Sequence, residues 1–255
     1  MNNQLLTFFL ILIISFGCEV KKEEKASIKE EKQPVSSFSS EFQEVLDAHG
    51  GLDRWNSFSS LAFIETNAKG DSMKHTIDLR SREEVAEKLG VHKVVYANDT
   101  ILLSSPDAMT MDRAKFYKNL MFYFFGIPFV TADDGVNQEL MEPATLNGTT
   151  FDRIKITFND GVGDSPKDEY ILWLDQADHS LEVLNYSVTY FDESKSSQYN
   201  AIVYGDWQNI NGLNVPGSLT WHKWEGDSLG ESRHQVRFSD IIFSRERPNR
   251  EIFKL

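Results

Sequence analysis

The sequence contains a single cysteine, Cys18, among its 255 residues. A lone thiol has no intramolecular partner, so the fold holds no internal disulfide. Basic residues are also few, since 26 Lys and Arg stand against 39 Asp and Glu and give a formal net charge of −13. Nucleic acids and anionic lipid headgroups both select an excess of Lys and Arg. We therefore expect no nucleic-acid partner for this chain.

The sequence also lacks the common catalytic and cofactor signatures. The patterns HExxH, GxSxG, CxxC and GxxxxGK do not occur. The six histidines are scattered, with no pair at zinc-ligand spacing. These absences predict no cofactor and no catalytic residue, and they favour a protein that is not an enzyme.

An uncharged apolar run occupies residues 5–16. It is shorter than the roughly 20 residues that span a bilayer, and it has the length of a signal-peptide core. We therefore expect residues 1–17 to be a signal peptide. Cys18 follows directly, and the stretch IISFGC resembles a bacterial lipobox, in which the cysteine sulfur is diacylated and the cysteine becomes the new N-terminus. This resemblance predicts a lipid anchor on Cys18; an ordinary cleaved signal followed by an incidental cysteine is the alternative.

Residues 18–39 are dense in Lys and Glu and end in a serine cluster, which is typical of a disordered tether. A coil of about 22 residues, at roughly 5–6 Å × √n, would hold the following domain some 25 Å from its anchor. The tether has five Lys and five Glu, so the negative charge belongs to the rest of the chain. We expect residues 40–255 to form one domain.

That domain opens with a short amphipathic pattern. Ser40 is the expected N-cap, Phe42, Val45 and Leu46 form an apolar stripe, and a Gly-Gly pair ends the helix. His49 precedes the glycines, where a protonated imidazole interacts favourably with the helix dipole.

Mostly strands are predicted after this helix. Ile154, Ile156 and Phe158 alternate with polar residues, as expected of a half-exposed antiparallel strand. Similar alternation within 181–190 places Tyr186 and Tyr190 on one face. Other strand candidates are 59–67, 72–80, 91–97, 100–104, 169–174, 199–206, 213–224 and 233–243. About ten strands without βαβ crossovers predict a mainly β protein with helices (α+β), built as one large antiparallel sheet that curls into an incomplete barrel.

Residues 106–125 interrupt this pattern. Ser105 as N-cap, Pro106 and the terminator Gly126 predict one long helix, whose apolar residues cover more than half of its surface. Such a helix fits in the hollow of the sheet or across its mouth, where it forms either a filled core or one wall of a cavity. Phe122 projects toward the polar side of the helix, so its exposure would indicate a contact surface and its burial plain packing. The side chains expected to line a cavity are Phe116, Leu120, Phe124, Tyr186 and Tyr190.

An acidic cluster lies between two predicted strands. Asp160, Asp164 and Asp168 could offer oxygens to calcium, although their spacing does not match an EF-hand loop. We favour the alternative that this segment is a polar hairpin connection, because Gly and Pro residues set its backbone. No other metal site is predicted.

Several stretches resemble an uncharacterised family of bacterial lipoproteins: HGGLDRW (49–55), FYKNLMFYFFGIPF (116–129), GVGDSPKDEYIL (161–172), VTY (188–190) and NGLNVPGSLTW (211–221). This family is similar in predicted fold to the carriers and receptors of the LolA/LolB type, in which an incomplete antiparallel barrel wraps an apolar cavity closed by helices. The resemblance implies an outer-membrane lipoprotein of the cell envelope, periplasmic or surface-facing. It implies no reaction.

Three functional hypotheses follow. The leading one is a non-enzymatic, membrane-anchored lipoprotein that binds an acyl chain or another apolar ligand in a half-barrel cavity. The second is a structural or interaction module at the cell surface, in which the same helix fills the core. A hydrolase that uses Asp, Glu and His is the least favoured, and converging carboxylates with shifted pKa values would support it.

Overall fold

The computed structural model describes residues 38–107, 109–195 and 197–255. The predicted signal peptide, Cys18 and the tether up to residue 37 lie outside the described residues. Helices are α1 (Ser40–Ala48), α2 (Leu52–Asn56), α3 (Met111–Tyr117) and α4 (Leu120–Gly126), with short 3-10 turns at Phe129–Ala132, Glu193–Lys195 and Arg250–Phe253. No helix among the described residues is long and apolar enough to cross a membrane.

The strands are β1 (Ser60–Asn67), β2 (Ser72–Asp78), β3 (Glu84–Lys88), β4 (His92–Ala97), β5 (Thr100–Leu103), β6 (Val136–Leu146), β7 (Thr149–Phe158), β8 (Tyr170–Asp175), β9 (Leu181–Tyr186), β10 (Asn200–Gly205), β11 (Gln208–Ile210), β12 (Leu213–Val215), β13 (Ser218–Trp224) and β14 (Leu229–Ser244). Twelve of them form one antiparallel sheet in the order β5-β4-β3-β2-β1-β14-β13-β10-β9-β8-β7-β6, and β11 and β12 form a separate hairpin. The sheet is curved and not closed, since β5 and β6 remain its edges. The mainly β fold class and the single large antiparallel sheet predicted from the sequence are therefore confirmed.

Two runs of neighbouring strands build this sheet. Strands β1 to β5 pair in sequence order, and β6 to β10 do the same, while β14 pairs with both β1 and β13. Bulges between Ala62 and Ile64 and between Trp221 and Trp224 interrupt the register of β14 with its two neighbours. Bulges bend strands and increase their twist, so β14 is the place where the two runs are joined and curved around the core.

Helix α1 forms as expected, with small shifts at its ends. Its N-cap is Ser39 rather than Ser40, because the Ser39 hydroxyl accepts a hydrogen bond from the Phe42 amide at 3.2 Å. Phe42, Val45 and Leu46 are buried, as the stripe predicted. The helix ends before Gly50, which has φ +104° and stands so close to the Gly212 carbonyl that a side chain could not fit.

The prediction of a single helix over residues 106–125 is wrong. Thr110, not Ser105, caps α3 by accepting a hydrogen bond from the Arg113 amide. The helical conformation is then interrupted at Asn119, which precedes α4. Asn119 adopts the left-handed conformation with φ 55°, which Asn tolerates better than most residues. The apolar segment is therefore two short helices, α3 and α4, with a sharp turn between them.

Strand β9 is also shorter than expected. It ends at Tyr186, so Val188 and Tyr190 lie in the following loop rather than on the strand. Three strands, β3, β6 and the short β11, occupy segments where the sequence pattern predicted none.

The core lies between the helices and the inner face of the sheet. The Trp55 ring of α2 stacks on Phe129 with centroids 4.7 Å apart, and Phe243 of β14 packs against its edge. Phe125 of α4 stacks on Phe63 of β1 at 4.8 Å. Helix α4 is thus held on one side by aromatic packing against the β1 and β14 pair.

Candidate ligand-binding cavity

The other side of α4 faces a cavity of about 540 Å³. Its walls come from α3 and α4, from residues at or near the ends of β6 to β9, and from β13 and β14. Aromatic side chains dominate the lining: Phe116, Tyr123, Phe124, Phe158, Tyr170, Tyr186 and Trp221. Aliphatic side chains complete it: Leu120, Met121, Val130, Val136 and Val188. The excess apolar surface of the 116–130 segment is therefore shared between a packed core and a void.

The structure brings together all five side chains that the sequence named as cavity candidates: Phe116, Leu120, Phe124, Tyr186 and Tyr190. Tyr190 reaches the cavity from the loop after β9 and not from the strand face that the pattern predicted. Contact of these side chains with a ligand stays a prediction.

The floor of the cavity is fixed by bonds between α4 and the sheet. The Tyr204 hydroxyl of β10 is buried and donates a hydrogen bond to the Phe124 carbonyl at 2.7 Å. The Phe124 ring meets the edges of Tyr186 and Trp221, with centroids 5.0 and 6.0 Å away. These contacts hold Phe124 against β9 and β13, so this wall of the cavity is fixed by contacts within the protein.

An aromatic collar, Phe116, Tyr117, Tyr190 and Phe191, surrounds part of the opening. Phe116 lies 5.6 Å from Tyr190 and 5.1 Å from Phe191, centroid to centroid. Phe191 is 73% exposed and Tyr117 is 44% exposed. Large aromatic side chains in contact with water at the edge of an apolar pocket are typical of a ligand entry site.

The interior is a poor environment for charge. Burial raises the pKa of Tyr186 to about 12 and also raises the pKa of Tyr170. Both hydroxyls are therefore neutral at ordinary pH, and they offer polar contacts without a buried charge.

Carboxylates occur toward the rim, and most have a partner. Asp133 receives two hydrogen bonds from the Arg82 guanidinium at 2.7 and 2.8 Å, and Lys118 pairs with Asp164 at 3.4 Å. Burial raises the pKa of Asp133, and the nearby Arg82 charge opposes the rise. The ion pairs of Asp133 with Arg82 and of Asp164 with Lys118 fix the segments around the opening.

Asp168 has a structural role at the same opening. Its carboxylate accepts hydrogen bonds from the Thr189 amide at 2.6 Å and the Thr189 hydroxyl at 2.7 Å, and burial raises its pKa. Asp168 therefore ties the loop before β8 to the loop after β9.

The calcium candidates Asp160, Asp164 and Asp168 lie in the connection between β7 and β8, as the hairpin interpretation predicted. Asp164 and Asp168 have the partners described above, and Asp160 is exposed and does not line the cavity. Within residues 38–107, 109–195 and 197–255, no group of three or more His, Cys, Asp or Glu could hold a metal ion.

A buried ionic cluster supports the turn between α3 and α4. Glu84 accepts a hydrogen bond from the Asn119 amide at 3.0 Å and contacts His75 Nδ1 at 2.6 Å, while Glu65 lies 3.5 Å from His75 Nε2. Burial by itself lowers the pKa of His75, but the two flanking carboxylates, Glu65 and Glu84, outweigh it and raise the pKa to about 9. His75 is therefore a buried cation held between two carboxylates.

His49 is buried and neutral, contrary to the expected protonated cap. Its Nδ1–H donates to the Val45 carbonyl at 2.8 Å, and its Nε2 accepts from the Leu181 amide at 3.4 Å. Burial lowers its pKa, so the imidazole stabilises the end of α1 by hydrogen bonds rather than by charge.

The exposure of Phe122 distinguishes between the two roles that the sequence left open, a contact surface and core packing. It is 0% exposed, and the Arg82 guanidinium lies over its ring at 5.1 Å. Its burial indicates packing and not a contact surface.

Comparison with models of known protein families identifies the family of this chain. The model of a family of unknown function, DUF6503, matches residues 8–201, about three quarters of the sequence. The chain belongs to this family. The matched part of this DUF6503 member includes α3, α4 and strands β6 to β9 of the cavity wall. A search of curated proteins finds no significant match.

Solved structures similar to this DUF6503 chain have low sequence identity to it. A LolA superfamily protein from Nitrosomonas europaea is 13% identical over 84% of this chain and 97% of that one, with a TM-score of 0.44. A DUF1329 family protein from Desulfovibrio piger is 12% identical over 84% and 95%, with a TM-score of 0.48. A putative outer membrane lipoprotein-sorting protein domain from Vibrio parahaemolyticus is 12% identical over 80% and 97%, with a TM-score of 0.40. The expected resemblance to the LolA type is thus found, and identities this low carry no conclusion about function.

Some lining residues were not named from the sequence. Phe158 and Tyr170 face each other across the β7 and β8 connection with ring centroids 5.3 Å apart. Phe158 continues the apolar face of Ile154 and Ile156, so the alternation of β7 held the signal for it. Arg233 carried no such signal, since it lies on β14 in a run of exposed polar residues.

Proposed function

We propose that this DUF6503 member is a cell-envelope lipoprotein that binds an acyl chain or another apolar ligand in the cavity, without catalysing a reaction. One observation carries the proposal. A cavity of about 540 Å³ is lined mainly by aromatic and aliphatic side chains, and it lies between α4 and the inner face of the sheet. Its volume falls within the roughly 300–1,000 Å³ that is typical of small-molecule sites.

The energetics favour a long apolar ligand. Each buried CH₂ group contributes up to about 0.8 kcal/mol, so a chain of a dozen carbons gains enough to offset the entropy lost on binding. The neutral hydroxyls of Tyr170 and Tyr186 add polar contacts without the cost of desolvating a charge.

The lipid anchor on Cys18 and the outer-membrane location belong to the same proposal. They are supported by the apolar run at residues 5–16 and by the lipobox-like stretch that ends in Cys18. Labelled palmitate should enter the wild-type protein and not the Cys18→Ser variant. Equal labelling of both would contradict the anchor and leave the cavity unaffected.

Binding is tested on the chain with Cys18→Ser, so that the protein's own acyl groups cannot occupy the cavity. The probe is dodecanol, an uncharged twelve-carbon chain, and binding is followed by native mass spectrometry and tryptophan fluorescence, since Trp221 lines the cavity. Leu120→Trp should fill part of the void and weaken dodecanol binding by about tenfold or more, which corresponds to about 1.4 kcal/mol.

The matched control is Leu140→Trp, the same substitution at a leucine of β6 that is 49% exposed and does not line the cavity. It should leave dodecanol binding unchanged. Failure of the Cys18→Ser chain to bind dodecanol, or equal loss of binding in both variants, would overturn the proposal.

A further inference from the structure

The charged side chains around the cavity are unevenly distributed. Asp133 and Asp134 directly precede β6, at one edge of the sheet, whereas Arg233 lies on β14. Five strands separate β6 from β14 in the sheet order. The carboxylates of Asp133 and Asp134 and the Arg233 guanidinium therefore belong to different parts of the sheet.

Two of the four carboxylates that line the cavity are paired with a cation. Asp133 binds Arg82 through two hydrogen bonds, and Asp164 pairs with Lys118. Of the other two, Asp168 accepts hydrogen bonds from Thr189, and Asp134 is exposed to water and precedes β6, which five strands separate from β14. None of these four carboxylates forms an ion pair with Arg233.

Arg233 differs from its neighbour on the same strand. Arg237 pairs with Asp206 at 2.8 Å, while Arg233 has no carboxylate within ion-pair distance among the described residues. The Arg233 charge does act on the cavity, because it favours the ionised form of the Tyr186 hydroxyl and so opposes the effect of burial there. An unpaired guanidinium at the edge of an apolar cavity is a ready site for an anion.

We propose that Arg233 binds the anionic headgroup of an amphipathic ligand, a carboxylate or a phosphate monoester, while the ligand's apolar tail occupies the cavity. This inference rests on the proposed function and names the class of its ligand. A guanidinium presents two parallel N–H donors that match either headgroup. Trp221, which lines the cavity from β13, provides the apolar surface between the headgroup position and the floor at Phe124.

The test compares three probes with the same twelve-carbon tail on the full chain with Cys18→Ser: dodecanoate, dodecyl phosphate and dodecanol, each titrated at pH 7.5. At least one of the two anions should bind about tenfold more tightly than dodecanol, and the tighter of the two identifies the headgroup source. Arg233→Gln should weaken the binding of the two anions far more than that of dodecanol and so remove this preference, whereas Arg233→Lys should keep part of it.

The matched control is Arg237→Gln, which removes the same charge from the same strand outside the cavity and should keep the preference. Equal binding of all three probes by the chain carrying only Cys18→Ser would overturn the headgroup inference and leave the proposed function intact. Equal weakening of all three probes by Arg233→Gln would also overturn it, because the residue would then act through the fold. Absence of binding by every probe would overturn the proposed function itself.

Discussion

Phe124 and Phe125 are neighbours in one helix, yet they lie in different surroundings. Phe125 is packed between Phe63 of β1 and Phe238 of β14, with ring centroids 4.8 and 5.0 Å away. Phe124 contacts Tyr186 of β9 and Trp221 of β13, and it also borders the cavity. The comparison shows that one apolar helix can complete a core with one face and leave a void beside the other.

The physical difference lies in the partners and not in the helix. On the side of β1 and β14, aromatic rings from α2, β1 and β14 fill the space around α4. On the side of β6 to β9, Phe124 meets the Tyr186 ring at 5.0 Å, and the cavity lies between α4 and the ends of these strands. Removing atoms from a filled core costs stability, because each atom there contacts neighbours on all sides. Atoms that line a void lack neighbours on one side, so their removal costs less.

The largest effect is expected from Phe125→Ala. It should lower the free energy of unfolding by about 3–5 kcal/mol, because it opens a cavity in a fully packed site. Leu120→Ala, on the cavity side of the same helix, should cost less than about 2 kcal/mol, since that leucine is only partly buried and already borders a void. Urea unfolding measures both, and equal losses at the two positions would contradict the distinction between the two faces.

A smaller effect is expected at the buried cluster beneath the turn of the two helices. The pKa of His75 is raised to about 9 from an ordinary value of 6.5, so its contribution is complete below pH 6.5 and is lost as the pH rises through 9. The free energy of unfolding should fall over this range by an amount on the order of 3 kcal/mol.

The matching variant is His75→Gln, which should be less stable at pH 6.5 and should lack this part of the pH dependence. Urea unfolding at pH 6.5, 8 and 9.5 provides the measurement. The same fall in both proteins would show that His75 is not the titrating group.

The smallest effect is expected from Lys118→Gln at the opening. The pair with Asp164 is largely exposed, and pairs of this kind contribute roughly 0.2–1 kcal/mol. Lys254→Gln, which removes the exposed pair with Glu251, provides a control far along the chain. A loss above about 2 kcal/mol by Lys118→Gln alone, in thermal or urea unfolding, would mean that the rim is part of the packed core.

The strands that alternate cleanly could be predicted from the sequence. Ile154 and Ile156 face the core as expected, because every second residue of a half-exposed strand points inward. Strand β3 was missed because Glu84 points inward to meet His75 and Asn119, which breaks the apolar pattern. Strand β6 was missed because it is an edge strand, polar and interrupted by Pro143 at a bulge, as edges tolerate.

The candidate site could be predicted only in part. The many apolar residues within 116–130 predicted a helix beside the cavity, and the alternation of β9 predicted Tyr186 as a lining residue. The interruption at Asn119 could not be predicted, because it depends on Glu84, 35 residues earlier in the chain. Whether side chains meet or leave a void depends on distances of a few ångströms between elements, which no local pattern encodes. Arg233 became a candidate only once the sheet order placed it beside the cavity.

The pairing of β1 with β14 has a consequence for how the molecule is made. Ser60 pairs with Ser244 and Asn67 pairs with Val236, so β1 pairs with a strand that lies about 170 residues later in the sequence. Contacts between such distant parts of a chain form slowly, because a long loop must close before they contribute. During synthesis β1 cannot pair with β14 until residues 229–244 have left the ribosome, and a chain that lacks residues 236–244 would leave this edge of β1 without its partner strand.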